Sequence, residues 1–426
     1  MIAEILATGD EIRSGALVDS NSSYLAQNLQ EAGIEIIRHS TVGDDLETLV
    51  SILIEIGRRS DIALVSGGLG PTHDDRTAAA AARAAGVNLV LDRQVLKSIE
   101  DFFATRGRRM TRSNKRQALI PQGASRFMNP VGTAPGFALR IGKCMFFFLP
   151  GVPHEMRQMM SESVLPQIRN LLGKARNFFL TNTICTFGLP ESVAGELLRG
   201  FETIFSDINL GFRAKFPEIQ IKLYIHGHRK NSVQLKLAEA SQWVVDRLGG
   251  NVFSENGESM EAVIGKLLSC KKETLAVAES CTGGCISHWL TNVPGSSEYF
   301  LFSAVTYSNS AKEKVLGVAR STLNKYGAVH EETAKEMAQG ARQVSGAAYG
   351  LSTSGIAGPD GGSEDKPIGT VCIGLATPTQ TVGKRYQFPD FGRLRNKKIF
   401  ALAALDLLRC KIQGIENRNE IVILKS

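Results

Sequence analysis

Ala278–Gly284 reads AESCTGG and sets two nucleophiles side by side, Ser280 and Cys281. Ser280 falls where the apolar run TLAVAES ends, and Gly283–Gly284 permit a tight turn with close backbone approach to a ligand. A helix starting there offers free N–H groups to a phosphate or a developing oxyanion. The same residues also fit a plain helix start capped by Ser280 or Thr282. Cys281 and Cys285, four apart, suit burial as small apolar groups. A serine nucleophile needs a base, and VTYSNSAKEKVLGV (305–318) supplies Lys312 at a helix start, where the dipole disfavours a cation. A neutral lysine serves when burial or cationic neighbours lower its pKa; otherwise it is a solvated surface group. Tyr307 stands where it could orient either partner. A cysteine nucleophile would usually call for histidine, and neither His288, inside a helical run, nor His330, at a helix start, is a compelling partner.

Two further stretches suit anions. SGIAGPDGGSEDKPIGTV (354–371) lies between strands and carries many accessible N–H groups, fit for an anionic or planar ligand or for a long surface turn. Arg393 and Arg395 in FGRLRNKK could bind phosphate. Near the amino terminus, VSGGLGPTHDDRT (65–77) ends a strand in Gly67, Gly68 and Gly70, whose bare backbone could cradle a phosphate. Asp74 and Asp75 follow, able either to hold a magnesium-like cation or to cap a helix over 76–84. LATGDEIRSGALVDSNSSYL (6–25) adds Glu11, Asp19 and Asn21 at a neighbouring strand end.

The elements that must position these groups are legible in the periodicity. Residues 2–8, 34–42 and 61–68 read as strands, alternating with helices over 20–33, capped by Ser20 or Asn21, and 46–59. That order predicts a doubly wound α/β domain with a parallel sheet and ligands at the strand carboxyl ends. Residues 170–250 read β-α-β-α, a small α+β module. From 259 a second complete α/β unit follows, with helices at 260–271, near 284–292, at 331–346 and 394–410, and strands at 274–280, 300–308, 348–355 and 368–377.

At 426 residues, with 43% hydrophobic and 21% charged residues, the chain is an ordinary globular one of two to four domains. No apolar run approaches a membrane span, and MIAEILATGDE reads as a first strand rather than a signal peptide. Seven scattered cysteines form no zinc pattern and fit a reduced, cytoplasmic protein. The formal charge of +7 is small for this length, and the basic clusters at 106–116 and 384–398 lack interleaved aromatics, so nucleic acid is not expected.

Taken together, AESCTGG, VTYSNSAK, SGIAGPDGGS and KPIGTV resemble the carboxy-terminal domain of the CinA family, associated with nicotinamide mononucleotide deamidase activity. The resemblance implies Ser280 as nucleophile, Lys312 as base and Tyr307 beside them. It places substrate on Thr282, Gly283, Gly284, Gly358, Gly361, Gly362, Thr370, Arg393 and Arg395, with amides near Gly283 and Gly284 holding the oxyanion and no cofactor needed. The stretches 6–25, 65–77, MTRSNKRQALIP (110–121), NPVGTAPGF (129–137) and FFFLPGVPHEM resemble that family's amino-terminal domain, which is similar to molybdopterin-binding domains. In some members it is a divalent-metal-dependent ADP-ribose pyrophosphatase. That implies ligand contacts at Asn21, Gly67, Gly68, Gly70, Pro71, Thr72 and Lys115, and metal contacts at Glu11, Asp74 and Asp75. The middle resembles the family's KH-like connecting module but lacks a GXXG loop, so RNA binding is not implied. The expected domains are 1–168, 169–252 and 258–415, in a homodimer acting on small nucleotides. The rival reading is a non-catalytic pterin-binding or competence-associated accessory protein.

Overall fold

The computed structural model describes residues 1–173 and 178–415; residues 174–177 of the expected middle module lie outside it. The chain divides into two compact units, Met1–Leu180 with His226–Val233, and Thr181–Ile225 with Gln234–Ser426.

In the first unit, β1 (Ile2–Thr8), β2 (Glu35–Val42), β3 (Ile62–Ser66), β4 (Leu89–Leu91), β5 (Leu119–Pro121), β6 (Ser125–Phe127), β7 (Gly136–Ile141) and β8 (Cys144–Leu149) follow in order. Six form one sheet, β2-β1-β3-β8-β7-β6, while β4 and β5 pair separately. Strands β2, β1, β3 and β8 run parallel, and β7 and β6 add an antiparallel edge. Every residue of β3 is buried, as a strand covered on both faces requires. One face packs Leu25 and Leu29 of helix Ser20–Glu31 with Met156, Met159 and Ile168, and the other packs Leu49, Leu53 and Ile56 of helix Leu46–Arg59. Phe146, Phe147 and Phe148 are all fully buried between these layers; burial of each such side chain stabilises by roughly 1.5–3 kcal/mol. The cap of helix Ser20–Glu31 is Asp19, which accepts from the Ser22 N–H, rather than Ser20 or Asn21.

The second unit holds one whole sheet and most of another. The middle one comprises β9 (Phe178–Thr186), β10 (Ile208–Lys215), β11 (Glu218–Gly227) and β12 (Val252–Ser254), ordered β10-β11-β9-β12. The helical stretch expected over 191–204 is two short helices, Glu191–Leu197 and Phe201–Ile204. The carboxy-terminal sheet comprises β13 (Leu275–Glu279), β14 (Phe300–Val305), β15 (Tyr349–Gly355), β16 (Thr370–Ala376) and β17 (Thr381–Gln387), ordered β14-β13-β15-β16-β17. Strand β13 lies between β14 and β15 and is parallel to both, so its carboxyl end, where Ser280 follows, opens between their ends. Helices Met260–Lys271 and Arg393–Gln413 cover one face, and Asn309–Leu316, Arg320–Tyr326 and Glu331–Ser345 the other. Phe187 and Phe253 of the middle segment belong to the first of these cores. At its base the buried Arg409 pairs with Asp406 at 2.8 Å and donates to Val252 O and Gly250 O.

Candidate active site

Lys312 Nζ lies 3.1 Å from Ser280 Oγ. Both are buried, Ser280 at 8% and Lys312 at 0% exposure. Ser308 caps helix Asn309–Leu316 through the Ala311 N–H, and Lys312 in its first turn is buried. Its amine also meets Thr306 O at 2.8 Å and Tyr307 O at 3.2 Å. No carboxylate pairs with it among the described residues, and burial holds its pKa below the ordinary lysine value. The coordination serves both protonation states. An ammonium donates to all three oxygens, whereas a neutral amine donates to the two carbonyls and turns its lone pair toward the Ser280 hydroxyl. A proton can therefore pass from oxygen to nitrogen with little heavy-atom movement.

Cys281 is a poor competitor. Burial pushes its thiol pKa up to about 12, so it carries almost no thiolate near neutral pH. It belongs to the carboxy-terminal hydrophobic core.

The turn after Ser280 differs from expectation in its donors. Gly283 and Gly284 do adopt left-handed conformations, φ 57° and 90°. Their amides, however, already have partners: Gly283 N–H donates to Ser280 O and Gly284 N–H to Glu279 Oε2. The buried Glu279 also accepts from the Ile286 and Ser287 amides and the Ser287 hydroxyl, capping helix Cys285–Thr291. Among the described residues the Thr282 amide bonds no protein group, and the Cys281 amide meets only its own thiol. An oxyanion formed on Ser280 would find its donors there rather than at Gly283 and Gly284. The Thr282 hydroxyl bonds Thr353 Oγ1 at 2.7 Å and pins the turn to β15.

The remaining expected contacts divide. Tyr307 is 62% exposed; its carbonyl holds Lys312, while its hydroxyl accepts from Arg393 and touches neither Ser280 nor Lys312. Arg393 also donates to Gly358 O at 2.6 Å, drawing the loop of Gly358, Gly361 and Gly362 toward Tyr307. Arg395, two residues on and so on another helix face, lies over the Phe216 ring. Thr370 is fully buried, its hydroxyl 2.6 Å from Pro367 O, and braces the loop. Lys397, one turn after Arg393, was not singled out by the sequence; a Cβ on Gly283 would come within 3.2 Å of its Nζ. Glu279 was missed as well.

A second candidate lies in the first unit, a cleft of about 500 Å³ at the carboxyl ends of β1 and β3. Gly67, Gly68, Gly70, Pro71, Asn21, Glu11, Asp74 and Asp75 line it. A Cβ at Gly67 would collide with Thr8 O, and one at Gly68 with the Thr77 hydroxyl, so only glycine fits. Asn21 donates to Ser66 Oγ and Gly151 O, while its buried Oδ1 has no partner. Asp75 braces the glycine loop: its carboxylate accepts from the Gly70 and Thr72 amides and the Thr72 hydroxyl. Lys115 is exposed and does not line the cleft; the buried Gln117 does. Asp44, unremarked in the sequence, also lines it, and burial, with Asp10, Glu11 and Asp74 nearby, raises its carboxyl pKa. Among the described residues no three His, Cys, Asp or Glu side chains are grouped to hold a metal ion. Glu11, Asp74 and Asp75, the expected metal set, line this one cleft without forming such a group.

Comparison with known proteins agrees with this architecture. A domain model described as "CinA C-terminal domain" matches residues 257–412, and one described as "Probable molybdopterin binding domain" matches residues 4–170. A CinA-like protein of Desulfosudis oleivorans is 50% identical over 412 residues, covering 97% of this chain and 100% of that protein. The chain belongs to the CinA family. A CinA-like protein of Desulforapulum autotrophicum is likewise 50% identical over 413 residues, covering 96% of this chain and 98% of its own length. Among solved structures, the competence/damage inducible protein CihA of Agrobacterium tumefaciens is 33% identical, covering 37% of this chain and 97% of its own, with a TM-score of 0.35. The α/β fold expected for a CinA chain, with a molybdopterin-binding-like domain first and the CinA domain last, is the one observed. No helix among the described residues is long and apolar enough to cross a membrane.

Proposed function

We propose that this CinA protein is an amidohydrolase that converts nicotinamide mononucleotide to nicotinate mononucleotide and ammonia. The carrying observation is the 3.1 Å approach of a buried amine, unpaired with any carboxylate, to the Ser280 hydroxyl. Ser280 Oγ attacks the carboxamide carbon and its proton passes to Lys312 Nζ. The Cys281 and Thr282 amides hold the oxyanion. Collapse expels ammonia, which takes the proton from Lys312. Water then attacks the acyl-enzyme, giving its proton to Lys312, and the nicotinate carboxylate leaves as Ser280 is restored. The cationic pyridinium activates its own carboxamide, and no metal enters any step. Arg393 and Lys397, one helical turn apart, suit the phosphate. The protein is read as a cytoplasmic homodimer.

Ammonia release from nicotinamide mononucleotide tests this directly. Ser280→Ala should lower it by more than about 10³-fold, and Cys281→Ala should retain it. The reverse pattern would make the thiol the nucleophile. No turnover by the parent, with tight pterin binding, would favour the accessory-protein reading. For the amino-terminal domain, the cleft and the unpartnered Asn21 Oδ1 favour a bound nucleotide or pterin. Metal-dependent AMP formation from ADP-ribose would support the pyrophosphatase expectation.

A further inference from the structure

The hairpin joining β10 to β11 turns on Phe216 and Pro217. Its tip meets the start of helix Arg393–Gln413. The Phe216 ring stands edge-on to Phe391 with centroids 5.0 Å apart, and the Arg395 guanidinium lies 5.6 Å over its face. Phe216 stays 37% exposed, so it fills no core. The turn it touches is tied to the site from the other side. Phe391 N–H donates to Asn396 Oδ1, and the fully buried Asn396 donates to Ala357 O and Asp390 Oδ1. Arg393, in the same turn, holds Gly358 O and the Tyr307 hydroxyl, and the Tyr307 carbonyl holds Lys312.

We infer that Phe216 is a positioning residue for the Ser280 site. By clamping Phe391 and Arg395 it fixes the turn that presents Arg393, and with it the Ala357–Gly358 loop, to the anionic nucleotide. The middle module thereby forms part of the substrate site in the CinA domain. This rests on the nicotinamide-nucleotide reading. Phe216 approaches neither Ser280 nor Lys312, so its effect falls on substrate binding and not on the chemical step.

The test is steady-state ammonia release by the full chain. Phe216→Ala should raise KM for nicotinamide mononucleotide roughly three- to tenfold, the worth of a lost aromatic and cation contact, with kcat within about twofold. Phe216→Tyr, which keeps the ring, should restore KM, and Phe216→Leu, which keeps bulk alone, should not. An active parent with unchanged KM in Phe216→Ala, or with kcat falling at constant KM, overturns this inference and leaves the reaction standing. A lowered melting temperature with unchanged KM also overturns it, since the contact would then be structural only. An inert parent overturns the reaction on which it rests.

Discussion

Glu279 Oε2 accepts the Gly284 N–H at 3.0 Å, so the carboxylate one residue before Ser280 holds the helix start four residues after it. Three amides and one hydroxyl converge on this buried anion, and it shapes the turn from which the Cys281 and Thr282 amides project. Glu279→Gln is isosteric but replaces an acceptor with a donor. It should cost about 2–4 kcal/mol in denaturant unfolding and lower kcat of ammonia release more than tenfold. Full activity in a stably folded Glu279→Gln protein would show that the turn does not need the charge.

Lys312 gives a pH signature of definite sign. Its folded pKa lies below its unfolded value. Below the folded value both states carry the charge and the folded one bears its burial. Between the two values the unfolded state binds more protons, so parent stability rises with pH. Lys312→Met removes this dependence. The parent's stability relative to that variant should therefore improve as pH climbs toward the ordinary lysine range, as read by urea unfolding at several pH values. In the parent, kcat/KM should rise with pH along a single ionisation below that range. A flat profile would count against a titrating base.

The Asp406–Arg409 pair is buried on both sides, and Arg409 also satisfies Gly250 O and Val252 O. Arg409→Met takes the guanidinium away from a buried carboxylate and from two buried carbonyls and should destabilise by about 3–5 kcal/mol. Adding Asp406→Leu should recover part of that loss. An undiminished penalty in the double variant would place the weight on the two carbonyls.

Much of this was readable in advance, for physical reasons. Strand β13 ends in a serine, and two glycines permit the turn that follows it. Lys312 sits at the wrong end of a helix dipole, an anomaly that burial beside Ser280 explains. What stayed hidden depends on geometry that no spacing reports. Glu279 reads as an ordinary strand residue until the turn folds back onto it. Arg393 and Arg395 look equivalent, yet two residues of helix send one to Gly358 and the other to Phe216. Lys397 is masked within a run of like charges. Edge strands β10, INLGFRAK, and β17, TVGKRYQ, escape the periodicity because neither buries a continuous face, and they find their place only by pairing with β11 and β16. The helix expected over 191–204 breaks before Phe201, where Gly200 is left-handed at φ 89°.

The shielding of Cys281 has a bearing on redox stress. With burial pushing its thiol pKa up to about 12, almost none of it is thiolate at pH 7. Peroxide and alkylating agents would meet the exposed Cys270 long before the buried Cys281 beside Ser280. The proposed chemistry on the neighbouring oxygen would therefore persist under oxidants that silence a cysteine enzyme of the same shape.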